Sequence, residues 1–130
     1  KLKDPATALS YSQQVLEHFE HPRNVGELPD ADAEARLEHP VCGDVMKLAI
    51  KMAHGHIAQV RYRTRGCVAS IAAGSCLTEL IEGKTLNEAA AVGREQLVEA
   101  LGGLPNASMH ASHLAIDVLR QVLKELTNGG

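Results

Sequence analysis

From Val45 to Arg65 the chain alternates with a period of two on both sides of His54-Gly55, and this pair of runs constrains the fold more than any other feature. Met46, Leu48, Ile50 and Met52 alternate with Val45, Lys47, Ala49 and Lys51, and Ala58, Val60, Tyr62 and Thr64 alternate with Gln59, Arg61, Arg63 and Arg65. Successive side chains of a strand point to opposite faces, so each run predicts a strand with one face buried and the other in water. His54-Gly55 supplies the tight turn of a hairpin. A further extended segment between Ala33 and the first of these runs completes a three-stranded antiparallel sheet.

After Cys67 the period changes. Ala69, Ala72, Ala73, Cys76, Leu77, Leu80 and Ile81 recur at helical spacing, and Gly83 closes the segment. Helices are predicted at Thr85–Ala91, Gly93–Leu101 and, as the longest amphipathic run, His110–Leu126, with Gly102-Gly103-Leu104-Pro105-Asn106 as a loop. A short helix precedes the sheet, capped by Ser10 with Gln13 three residues later and ended by Pro22. The order of helix, strands and then helices predicts an α+β two-layer domain, with helices packed on one face of the sheet. Residues 1–130 are expected to form this one domain.

Bulk properties exclude several function classes. A net charge of −3 and 2% aromatics leave neither the basic stripe nor the stacking platforms of a nucleic-acid protein. No apolar run approaches the roughly 20 residues that span a bilayer, so the chain is expected to be soluble. Three cysteines without an apolar leader point to a reducing cytoplasm rather than a secreted disulfide framework.

In such a compartment cysteines are ligands, nucleophiles or core atoms. Cys42 and Asp44 flank Gly43 at the mouth of a strand, and Cys67 follows Gly66 where a helix begins and its dipole favours negative charge. Two thiols and a carboxylate can therefore meet at one end of the sheet as a metal or sulfur site. A turn in which Cys42 packs and Asp44 caps an amide is equally compatible with the spacing. Cys76 shares a helical face with alanines and leucines and is read as a small hydrophobe. His110 and His113 lie one turn apart and either can face an ion or solvent. His18, His21, His39, His54 and His56 have no partner spacing and are read as surface residues. No phosphate-binding loop or catalytic serine pattern is present, and no base is fixed near either cysteine, so an independent thiol enzyme is disfavoured.

The motifs His21-Pro22-Arg23-Asn24-Val25-Gly26, Cys42-Gly43-Asp44-Val45-Met46-Lys47-Leu48, Gly66-Cys67, Gly83-Lys84-Thr85-Leu86, Leu104-Pro105 and His110 with Ser112 follow one another in this order. In them the chain resembles the U-type iron–sulfur cluster scaffolds, IscU and the N-terminal domain of NifU, over about Tyr11 to Lys124. The resemblance implies a SufE/IscU-type two-layer fold and a non-enzymatic platform. On it a cysteine desulfurase delivers sulfur, iron is added, and a labile two-iron cluster passes to acceptor proteins. It also implies that Cys42, Asp44, Cys67 and His110 are the site residues. The family's third cysteine normally follows the histidine directly, and here that position is Ala111. Four mixed donors remain, which suit either a labile cluster or a tetrahedral zinc ion. A zinc-binding, scaffold-like module that docks on a desulfurase and modulates it is therefore the alternative. Leu104-Pro105-Asn106-Ala107-Ser108 departs from the family's Leu-Pro-Pro-Val-Lys chaperone segment, and the chain lacks the insertion of the longer zinc-dependent relatives.

Overall fold

The computed structural model describes residues 11–128. Among these, an N-terminal helix α1 (Gln13–Glu20) leads to three strands, β1 (Ala33–Glu38), β2 (Val45–Ala53) and β3 (His56–Arg65). Four more α-helices follow: α2 (Val68–Ile81), α3 (Leu86–Ala90), α4 (Arg94–Ala100) and α5 (His110–Asn128). The strands form one antiparallel sheet in the order β1-β2-β3, and α2 and α5 cover a single face of it. The expected α+β architecture is the one observed.

Strand alternation decides which face is covered. Leu48, Ile50, Val60 and Tyr62 are almost completely buried beneath the helices, together with Leu77 from α2 and Leu114 and Leu119 from α5. Each such aliphatic side chain contributes about 1.5–3 kcal/mol relative to exposure. Strict alternation is broken at a bulge and at Val45 and Ala49 on the outer face. The bulge, between Lys51 and Met52, shifts the register, so that Met52 faces Ile57 and it is Ile57, not Ala58, that points into the core. Ala49, on the outer face, is nevertheless only 3% exposed. Its cross-strand partners are Glu34 and Arg61, and their long side chains shade the small one between them.

The helix α2 is buried nearly all round, because α1 packs on one side of it, α5 on another and β3 beneath. Gly74 is the residue that permits the β3 contact: a Cβ there would lie 2.4 Å from the Tyr62 ring. The Tyr62 hydroxyl donates to the Ile71 carbonyl at 2.7 Å in the same helix. Burial pushes the Tyr62 hydroxyl pKa well above its ordinary value, against the opposing backbone hydrogen bond. The turn after α1 also adds to the sheet. The Tyr62 amide donates to the Asn24 carbonyl at 2.9 Å and the Gly26 amide to the Tyr62 carbonyl at 3.0 Å, so this segment covers the free edge of β3.

The α1 cap is Ser12, whose hydroxyl accepts from the Val15 amide. The expected cap Ser10 lies outside the described residues. One histidine expected at the surface is buried instead: His18 is 9% exposed. Its Nδ1 shares a hydrogen bond with the Ser75 hydroxyl at 2.7 Å, that hydroxyl accepts from the Arg23 amide at 2.9 Å, and Glu79 faces Nε2 at 3.6 Å.

Candidate functional site

Three chain segments meet at one end of the sheet. The β1–β2 connection carries Cys42 and Asp44, the end of β3 carries Gly66 and Cys67, and the first turn of α5 carries His110. The connection is held in shape by His39. Its backbone amide donates to the Asp44 carbonyl at 2.7 Å and its carbonyl accepts from the Gly43 amide at 3.0 Å. Its Nδ1 accepts from the amides of Val41 at 3.2 Å and Cys42 at 3.4 Å. Gly43 has φ +78°, a conformation that an L side chain resists, and this turns the chain so that Cys42 is exposed at the tip.

Asp44 points the other way, toward α2. Its Oδ2 accepts from the Ser70 hydroxyl at 2.7 Å and from the Cys67 amide at 3.2 Å, and lies 3.4 Å from His110 Nε2. Burial pushes the Asp44 carboxyl up, but the hydrogen bonds from Ser70 and from Cys67, with the adjacent His110, outweigh it and hold the carboxyl below the usual range. Cys67 occupies the N-cap position of α2, and its Sγ lies 3.5 Å from His110 Nε2 and 3.6 Å from Ser70 Oγ. His110 Nε2 thus sits between the carboxylate and this sulfur.

Of the four residues expected at the site, Cys42, Asp44 and His110 offer donor atoms that all lie within 4.8 Å of one another. The Cys67 sulfur lies outside that group: it is 3.5 Å from His110 Nε2, and it is the Cys67 backbone amide, not the sulfur, that meets Asp44. A soft sulfur, a carboxylate and an imidazole at this spacing can share one ion, with the second sulfur beside it. His113 faces away and meets Arg94 instead. Cys76 is 3% exposed in the core, and burial pushes its thiol up to about 11, with Glu79 raising it further and Arg23 opposing. Ala111 is completely buried.

Sequence reasoning passed over Ser70 and read His39 as a surface residue without a partner, whereas His39 is only partly exposed and shapes the loop. Ser70 lies three residues into the helix after Cys67, a position from which a hydroxyl reaches back over the helix start. His39 precedes the loop by the interval at which a side-chain acceptor closes a local turn, a role more familiar from Asn and Asp. The ring of His39 also packs edge-on against His110, with centroids 5.5 Å apart.

The fold and this cluster define a sheet-and-helix domain with mixed sulfur, oxygen and nitrogen donors gathered at its strand ends. Residues 10–128 match the family model of the NifU-like N terminal domain, and the chain belongs to that family. It is 46% identical over 113 residues to the iron-sulfur cluster assembly scaffold protein IscU 1 of Archaeoglobus fulgidus, covering 87% of this chain and 74% of that one. It is 39% identical over 121 residues to the protein of the same name, IscU, from Escherichia coli, covering 90% and 94%. The crystal structure of a NifU-like N-terminal protein from Brucella abortus superposes with a TM-score of 0.73 over 93% of this chain and 96% of that one, at 17% identity, a likeness of fold. Among the described residues no helix is long and apolar enough to cross a membrane.

Proposed function

We propose that this chain is a scaffold and carrier for iron–sulfur cluster assembly, a platform rather than a catalyst, working in the cytoplasm. Its cargo is iron or a labile two-iron cluster, held by Cys42, Asp44, Cys67 and His110. The single observation that carries the proposal is the gathering of donor atoms from Cys42, Asp44 and His110 within 4.8 Å, beside the Cys67 sulfur. Membership of the family and the names of its relatives support the same role.

Sulfur arrives from a cysteine desulfurase as a persulfide. A thiolate of this chain attacks the outer sulfur, the donor cysteine leaves as thiolate, and the persulfide is transferred. Cys42 is the acceptor best suited to this step, because it is exposed at a loop tip next to Val41, which is 88% exposed. An external electron donor supplies the two electrons per sulfur that cleave the S–S bond and release sulfide to the bound iron while the thiolate is regenerated, and iron–sulfur acceptor proteins then draw the cluster away. Two thiolates rather than three hold it loosely, since carboxylate and imidazole are weaker donors to iron.

A second reading rests on the same donor set: two sulfurs, one carboxylate oxygen and one imidazole nitrogen also satisfy four-coordinate zinc. On that reading the chain is a zinc-holding module that docks on a desulfurase and modulates it. Metal analysis and the visible spectrum of anaerobically purified protein, followed by reconstitution with iron and sulfide, separate the two. Charge-transfer bands with bound iron are expected. A colourless protein that holds zinc and fails to assemble a cluster overturns the scaffold reading in favour of the module.

A further inference from the structure

The sheet face turned away from the helices carries a row of three cations. The register aligns Arg36 of β1 with Lys47 of β2, and Lys47 with Arg63 of β3. One row closer to the cysteine end stands Arg65, and these four side chains line a shallow depression of about 410 Å³. Like charges directly opposite across strands destabilise a sheet. The usual benefit of surface cations, the blunting of an exposed edge, does not apply to Lys47 on the central strand. The concentration also runs against the chain's net charge of −3.

Internal carboxylates neutralise only part of it. Glu27 pairs with Lys47 at 2.8 Å and with Arg63 at 2.7 Å, and Glu34 reaches Lys47 at 3.4 Å. Among the described residues, Arg36 and Arg65 have no carboxylate within 4.0 Å, and both are exposed. We infer that this face is a docking surface for an acidic segment of a partner protein, whose carboxylates pair with Arg36 and Arg65.

Two strand spacings and two residues along the strand separate these arginines, roughly 12 Å between Cα atoms. Carboxylates two helical turns apart, or four residues apart on an extended segment, match that span. Guanidinium forks favour carboxylates presented singly at such points. A nucleic-acid strand fits less well, because a continuous phosphate run would cross Glu27 and Glu34 and find no aromatic platform. A lipid surface fits less well too, since among the described residues the exposed large apolar ones, Val25, Val41 and Met109, lie outside this row. The depression begins at Val45 and Arg65, next to Asp44 and near Cys67, so a protein seated there has its edge at the cysteine end. The inference does not depend on what the cysteines bind.

The test uses the whole chain and a fluorescein-labelled peptide of alternating Glu and Ser, with its Gln and Ser counterpart as control, followed by anisotropy. The Glu peptide is expected to bind and the Gln peptide not, with the affinity falling as salt rises from about 50 to about 200 mM. Arg36→Ala with Arg65→Ala is expected to weaken binding at least about fivefold, as the loss of two exposed ion pairs allows. Lys84→Ala with Lys124→Ala removes the same charge elsewhere and is expected to change little. Both arginines are exposed and have no carboxylate partner among the described residues, so the melting temperature of the variant should match that of the wild type. Absence of peptide binding, equal loss in the two double variants, or stronger competition by a DNA oligonucleotide or phosphatidylserine vesicles than by unlabelled peptide overturns the inference.

Discussion

Gly66 lies directly against the Asp44 carboxylate: a Cβ built at position 66 would come within 2.5 Å of Asp44 Cγ and 2.6 Å of Oδ2. The glycine in Gly66-Cys67 is therefore there for the neighbouring loop, not for an unusual backbone angle. Only without a side chain can the end of β3 approach closely enough for the Cys67 amide to reach Asp44.

Gly66→Ala should push Asp44 away from Ser70, Cys67 and His110 together. The expected result is at least about a tenfold loss of metal affinity, in the range seen when groups that orient ligands are removed. The stability cost is expected to be about 1–3 kcal/mol, typical of overpacking. Zinc titration against a competing chelator and a urea melt measure the two quantities. Unchanged affinity in a variant that still folds would mean that Asp44 does not contribute to the site.

The two sulfurs outside and inside the core should behave oppositely toward an alkylating reagent. Cys42 is exposed, whereas Cys76 is 3% exposed with its thiol pushed up to about 11, chiefly by burial. Native protein treated with iodoacetamide near neutral pH should be modified at Cys42 and spared at Cys76, as peptide mass mapping would reveal. Cys76→Ala should cost about 1 kcal/mol and leave metal content unchanged. A variant that loses its metal would place Cys76 among the ligands.

Much of this fold was legible because it depends on periodicity. The β2 and β3 alternation, the switch to helical spacing after Cys67 and the glycine at 83 locate the elements to within a residue or two. The bulge at Lys51/Met52 was not legible, since one extra residue leaves the composition of both strands unchanged while rotating Ile57 inward. Of the candidate site, the meeting of Cys42, Asp44 and His110 was legible as residue types, and these three do converge. Their supports were not, because Ser70 and His39 act through contacts fixed only once the β1–β2 loop folds against α2 and α5. His18 escaped notice for the same reason, its burial being set by Ser75, 57 positions away.

His18 gives the fold a dependence on pH. Burial lowers its pKa below the ordinary 6.5, Arg23 lowers it further, and Glu79 and Glu17 oppose the shift. The unfolded chain therefore binds more protons than the native one as pH drops below 6.5, and stability rises with pH wherever that is so. This contribution is fully present above pH 6.5, is lost progressively below it, and levels off once the native histidine is also protonated. Urea midpoints should fall between about pH 7.5 and about pH 5.5, and the fall should be shallower in His18→Gln. Equal slopes in the two proteins would assign the dependence to other groups.

Ala111 occupies the position at which the family resemblance calls for a third thiolate, and it is completely buried beside His110 at the start of α5. Ala111→Cys adds one sulfur atom at the junction between core and site, at a packing cost of about 1 kcal/mol or somewhat more. The same sulfur is a softer and stronger donor to iron than the Asp44 carboxylate or the His110 imidazole. The variant should therefore retain a reconstituted cluster longer than the wild type, while its melting temperature in the metal-free state falls slightly. Both proteins reconstituted with iron and sulfide, then challenged with a chelator under anaerobic conditions, report the difference as the decay of visible absorption. If the wild type holds its cluster as long as the variant, two thiolates with Asp44 and His110 suffice, and the alanine does not make the cargo easier to release. If only the variant assembles a cluster while the wild type binds zinc, the missing thiolate is what separates a zinc-holding module from a scaffold.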